Sequence, residues 1–201
     1  MTSAVDLDVA RNVALGVALA AACGLRIFLP LTVVSAASLL GWVRLAGDLS
    51  WIGSGAALTV FGVATLLEVA AYHVPWLDNV LDHLGAPVAV GAGTLMAASL
   101  LPAGDPLLRW AVAAIAGGGA AGVVHLSLAA LRHVSSLTTG GLANPLLALA
   151  EAIGALVVSL AALLAPLVAL TALLLIALAA TRVARHRRAA RPASPPERSR
   201  R

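Results

Sequence analysis

Residues 145–164 form a run of twenty in which Glu151 is the one charged side chain. About 20 apolar residues is what a helix needs to cross the hydrocarbon core of a bilayer. The same texture recurs from residue 9 to residue 181, interrupted by short polar or glycine-bearing turns. A soluble domain carries about 25% charged residues. Here the figure is 11%, against 61% hydrophobic residues and a mean hydropathy of +0.98. The chain therefore reads as a polytopic all-α membrane bundle. No pattern of alternating ten-residue strands is present, which argues against an outer-membrane barrel.

Apolar periodicity and turn residues divide the chain into about seven spans, at 9–25, 30–45, 51–73, 87–101, 107–131, 145–164 and 166–181. Residues 1–8 are expected as an N-terminal tail, 9–183 as the transmembrane domain and 184–201 as a disordered Arg-rich tail. Asp6 and Asp8 precede the first run, and more apolar segments follow it, so it reads as a retained span and not as a cleaved signal peptide. Three turns, at 24–30, 82–87 and 140–145, each end in a proline that opens an apolar run. Pro30, Pro87 and Pro145 are 57 and 58 residues apart. Proline suits a first helical position, where its missing N–H would be unpaired anyway. Trp51 and Trp110 lie 59 apart, and the Glu68 segment aligns with the Arg132 segment at an offset of 60. Three repeated helical hairpins plus a C-terminal helix are the expected plan.

Charge is distributed unevenly. Eight arginines from Arg182 onward stand against Glu197 alone, so this tail carries +7 and the rest of the chain −3, which sum to the overall +4. Arginine-rich ends stay on the cytoplasmic side and meet anionic headgroups. The expected location is the cell inner (plasma) membrane, multi-pass, with a cytoplasmic C-terminus. The expected partners are the bilayer and its anionic lipids, with a homo-oligomer left open. No fold motif or aromatic patch supports nucleic-acid binding. Cys23 is the sole cysteine, which excludes an intrachain disulfide and a CxxC metal site. No cofactor motif is present.

Carboxylates inside a bilayer usually face the bundle interior and mark function. Glu68 lies about one and a half turns before the end of its run, and Glu151 about one and a half turns after Pro145, so both are expected at a similar depth. Each is either part of a substrate or ion pathway or a structural partner of a nearby arginine. Arg26, just before Pro30, suits an anion at a helix N-terminus or an internal pair with Glu68, Asp78 or Asp82. Asp78 and Asp82 share a helix face at i,i+4 with Asn79 adjacent, a candidate hard-cation site or a solvated turn. Thr138, Thr139 and Asn144 flank Gly140 and Gly141, whose backbone can turn inward toward an ion. His125 is a candidate proton relay or a core histidine. Gly118 and Gly122, four apart, suggest a close-packing surface for another helix.

Residues 21–30, 75–79 and 138–145, which hold Arg26, Asp78, Asn79, Thr138, Thr139 and Asn144, resemble a bacterial integral-membrane family known as domain of unknown function 4126. The resemblance covers most of residues 9–183. It implies membership of a membrane family and supplies no activity. Glycine-broken helices around a centre are also similar in plan to small cation channels of the trimeric intracellular type. The leading expectation is a channel or secondary transporter for a small ion or solute. The alternative is a non-transporting scaffold or lipid-binding protein. An intramembrane enzyme has the least support, since no HExxH or Ser-His-Asp arrangement is evident.

Overall fold

The computed structural model describes residues 2–71, 75–102 and 104–189, with side chains over 6–71, 84–102, 104–179 and 181–182. Among the described residues every regular element is helical. In chain order these are α1 (Thr2–Leu25), α2 (Phe28–Leu39), a 3₁₀ turn (Gly47–Gly53), α3 (Gly55–Ala71), α4 (Pro75–Leu100), α5 (Pro106–Val112), a π-helical segment (Ala113–Gly118), α6 (Gly119–Thr139), α7 (Asn144–Leu164) and α8 (Pro166–Ala189). Met1–Leu170 form one compact unit, and Thr171–Arg201 a second that holds the C-terminal part of α8.

Within the first unit α1 is the central helix. Its side chains from Ala18 to Cys23 are buried one after another, and a helix buried at successive positions is covered on every face. Helices α4, α6 and α7 and the π-helical segment pack around it. Small residues let them come close. A Cβ on Gly93 of α4 would lie 2.5 Å from the Cβ of Ala121 and 2.8 Å from the carbonyl oxygen of Gly117. A Cβ on Gly117 would lie 2.6 Å from the carbonyl oxygen of Gly93. The two backbones therefore touch. Gly118 and Gly122 continue the seam against Val90 and Thr94, as their four-residue spacing suggests. Lipid tails compete equally well for apolar surface, so such close van der Waals contact is what holds helices together in a bilayer.

The span count differs from the expected seven. Among the described residues three helices are long and apolar enough to cross a membrane: Asp6–Leu25, Pro106–Thr139 and Asn144–Leu164. A fourth arises if the 3₁₀ turn and α3, bent by 59°, count as one span. Phe28–Leu39 is apolar but has only 12 residues, about 18 Å of helix, short of the ~30 Å core. The first helix begins at Thr2, ahead of the span start expected at residue 9, and α8 extends to Ala189.

The three proline turns are not equivalent. Pro30 is the third residue of α2, Pro145 the second of α7, and Pro87 lies inside α4. An interior proline forfeits one backbone hydrogen bond and strains the preceding turn. Neighbouring helices hold α4 together across it, with Gly85 against His125 and Ala89 fully buried. Residues 24–30 contain a two-residue helix break where a hairpin turn was expected. A threefold hairpin repeat therefore does not describe the fold.

Gly91 and Gly93, two residues apart in α4, offer a matched test. Open space surrounds Gly91, so Gly91→Ala should leave stability unchanged or raise it by up to about 1 kcal/mol through helix propensity. Gly93→Ala should lower it by about 1–3 kcal/mol, as overpacking does. Thermal unfolding in detergent checks both.

Candidate functional site: buried charges at a helix break

Helix α1 ends at Leu25 and α2 begins at Phe28, which leaves Arg26 and Ile27 at the break. The first N–H groups of a helix have no partner within it. Here they are met from α3. The Ile27 N–H donates to Glu68 Oε1 at 2.8 Å, and the Phe28 N–H donates to Glu68 Oε2 at 3.1 Å. Both oxygens of one carboxylate thus cap the start of α2, at the end where the helix dipole is positive.

Arg26 turns the other way, toward α7. Its Nη2 donates to the carbonyl oxygen of Ala148 at 2.5 Å and stands 3.7 Å from Glu151 Oε2. Arg132 of α6 reaches the same carboxylate. Its Nε donates to Glu151 Oε1 at 3.1 Å and its Nη2 to Oε2 at 3.2 Å, a two-pronged arrangement that suits a planar guanidinium and carboxylate. Arg26 and Arg132 both lie within electrostatic reach of Glu68. The exposures are 2% for Arg26, 3% for Arg132, 5% for Glu151 and 7% for Glu68. Among the described residues, two cations and two anions from three helices and one break thus form a charge-balanced, buried cluster.

Of the expected site residues, Arg26, Glu68 and Glu151 meet at this cluster. Arg26 pairs with Glu151; of its expected partners, Glu68 lies nearby against the break, and the side chains of Asp78 and Asp82 fall outside the described residues. Helix α1 packs against α7, which brings Glu151 to its end, while Glu68 is taken up by the backbone of the break. Thr138 and Thr139 do not join. Helix α6 runs to Thr139 instead of ending near residue 131, and the hydroxyls donate to their own helix, Thr138 to Val134 at 2.9 Å and Thr139 to Ser135 at 2.8 Å. The turn proper is residues 140–143, where Gly140 and Gly141 adopt φ of +63° and +86°, angles that side-chain-bearing residues avoid. Asn144 closes this turn by donating from Nδ2 to Ser136 Oγ at 2.9 Å, outside the cluster. His125 is buried two turns before Arg132, with Nε2 2.6 Å from where a Cβ on Gly85 would stand. The side chains of Asp78, Asn79 and Asp82 lie outside the described residues. Among the described residues no group of three or more His, Cys, Asp or Glu is placed to hold a metal ion.

The expected set left out Arg132. A cation seven residues after His125 on one helix face was the available signal. Ending the span at residue 131 hid it by placing Arg132 in a turn, whereas the helix continues for two further turns. Two open apolar grooves, of about 270 and 290 Å³, lie along α1 near Arg11 and near Arg109. None of the four cluster residues lines either one.

The family model described as Domain of unknown function (DUF4126) matches residues 13–186. The chain belongs to this family. No curated protein and no solved structure matches it, so the likeness in plan to trimeric intracellular cation channels gains no structural support. Family membership and several apolar helices together make this a membrane protein.

Removing one partner of a buried ion pair strands the other charge and typically costs about 3–5 kcal/mol. Glu151→Gln should therefore lower stability by about that amount, and adding Arg132→Gln should restore part of it. A double-mutant cycle by denaturation in detergent reads the coupling. Thr138→Val, whose hydroxyl bonds only within its own helix, should stay within about 0.5 kcal/mol of wild type.

Proposed function

We propose that this protein is a membrane transport protein for a small ion or solute, with the four-charge cluster as its closed gate. One observation carries the reading: Arg26, Glu68, Arg132 and Glu151 converge at a break between two helices. Transporters place broken helices and ionisable residues together at their substrate sites. A purely structural role is an inefficient use of such charges, because apolar side chains of similar volume fill a core as well or better. Charges that can exchange partners serve a switch, and switching is the best-attested use of buried polar groups. The Arg-rich C-terminus sets the proposed orientation in the plasma membrane, with that end in the cytoplasm.

A second reading is a non-transporting scaffold or lipid-binding protein in which the cluster is a permanent lock. It is favoured by the full occupation of both carboxylates, Glu68 by two backbone N–H groups and Glu151 by the Arg132 fork.

Flux of protons, K⁺, Cl⁻ and glycerol into liposomes separates the two. If the cluster is a gate, wild type should conduct at least one of these above empty liposomes, and Arg26→Ala and Glu151→Gln should change that rate severalfold while remaining monodisperse. Folded protein that moves none of the four in any of the three forms would refute the gate and leave the lock.

A further inference from the structure

The end of the bundle away from the charge cluster has its own closure. Helix α2 starts beside Glu68 and runs 12 residues, about 18 Å, to the segment that carries the 3₁₀ turn Gly47–Gly53. Arg109 and Arg132 lie on the helical stretch Pro106–Thr139, 23 residues apart in sequence and so separated by roughly 35 Å of helix. That is about the thickness of a hydrocarbon core. The turn and Arg109 are therefore at one end, and the buried cluster is at the other.

Three sets of contacts pin the turn across that end. The Ala46 N–H donates to the carbonyl oxygen of Ser99 at the end of α4, at 2.8 Å. Ser35 Oγ of α2 donates to the carbonyl oxygen of Ile52 at 2.6 Å, and this pair is buried. Arg109 of α5 forks onto Asp48, with Nη1 donating to Oδ1 at 2.8 Å and Nη2 to Oδ2. Leu49 and Ile52 insert into the core beneath, at 6% and 0% exposure. The turn meets α3 at 59°, so it lies across the helices instead of extending one of them. Its three anchors differ in kind. Two are uncharged and one is an ion pair whose carboxylate side is 53% exposed.

We infer that residues 46–54 form a strap that closes this end of the bundle, held by a salt-sensitive latch between Asp48 and Arg109 and released independently of the buried cluster. The chemistry separates the two closures. The latch sits where counter-ions reach it, and exposed pairs are screened as the Debye length falls from about 10 Å at 0.1 M salt to about 3 Å at 1 M. The four-charge cluster is dry and is screened far less. This inference rests on the contacts of the strap and holds whether or not the protein transports.

Hydrogen exchange on the full chain in lipid nanodiscs tests it. Asp48→Asn should speed exchange at the amides of residues 46–54 by about two- to fivefold, the range expected of an exposed pair. Exchange at Ile27 and Phe28, beneath Glu68, should stay within error. Raising salt from 0.1 to 1 M should have the same selective effect on wild type and almost none on Asp48→Asn. The exchanged pair Asp48→Arg with Arg109→Asp should recover part of the protection, which a mere local perturbation would not. Unchanged exchange at 46–54 in Asp48→Asn would overturn the inference. So would a parallel rise at Ile27 and Phe28, which would show a single cooperative unit with no separate strap.

Discussion

A helix that breaks inside an apolar surrounding must find partners for the N–H groups it exposes, because no water is there to accept them. The step from α1 to α2 creates that demand at Ile27 and Phe28, and Glu68 meets it with both oxygens. The rest of the charged interior follows. A carboxylate held in a dry site needs cations near it, and among the described residues Arg26 at the break and Arg132 on α6 are near enough to serve. Two cations would in turn leave an excess, and Glu151 balances it by taking the fork from Arg132 and the approach of Arg26. Neutrality over four residues is thus a consequence of one helix break.

Such a cluster stays dry only if the helices bearing it pack without gaps. The seam of Gly93, Gly117, Gly118 and Gly122 supplies this around α4 and the π-helical segment, where backbone meets backbone. Gly24, two residues before Arg26, does the same against α6, since a Cβ there would overlap the carbonyl oxygen of Ala121. A π-helical stretch is a local rearrangement of the helical ladder that recurs at functional sites. Here it spans Ala113–Gly118, where α1 and α4 both pack. Packing and electrostatics therefore depend on each other: the glycines bring the helices close enough to exclude water, and the balanced charges allow that exclusion.

The membrane character was legible from the sparseness of charge, and the depth of Glu68 and Glu151 from their distances to turn signals. Arg26 was legible as a cation at a helix boundary. What escaped sequence reading has one physical source, the override of local signals by tertiary contact. Pro87 reads locally as a helix start, yet α4 continues through it because α6 supports both sides. Thr138 and Thr139 read as a loop, but their hydroxyls donate to helix carbonyls as readily as to turn groups, and α6 runs on to Thr139. The contact of Arg26 with α7 was beyond reach because a bond across 122 residues, as to Ala148, depends on which helices pack together. Composition does not encode that.

The contacts of the cluster are unequal, and the inequality says where it would come apart. Arg132 and Glu151 flank the short α6–α7 turn, 19 residues apart, and share two hydrogen bonds. This pair belongs to one hairpin and forms at little loop-closure expense. Arg26 is joined to the same hairpin by one hydrogen bond to Ala148 and an ion pair at 3.7 Å. Glu68, for its part, is tied to the break itself and moves with α2 and α3. The cluster therefore divides into an α6–α7 half centred on Glu151 and an α2–α3 half centred on Glu68, with Arg26 on the line between them. Moving Arg26 from Glu151 toward Glu68 would give up the bond to Ala148 and the 3.7 Å ion pair while keeping the Arg132 fork intact. Separating Arg132 from Glu151 would break both hydrogen bonds of the fork. Of these two changes to the described contacts of Glu151, the transfer of Arg26 gives up the longer ion pair and spares the two-pronged one.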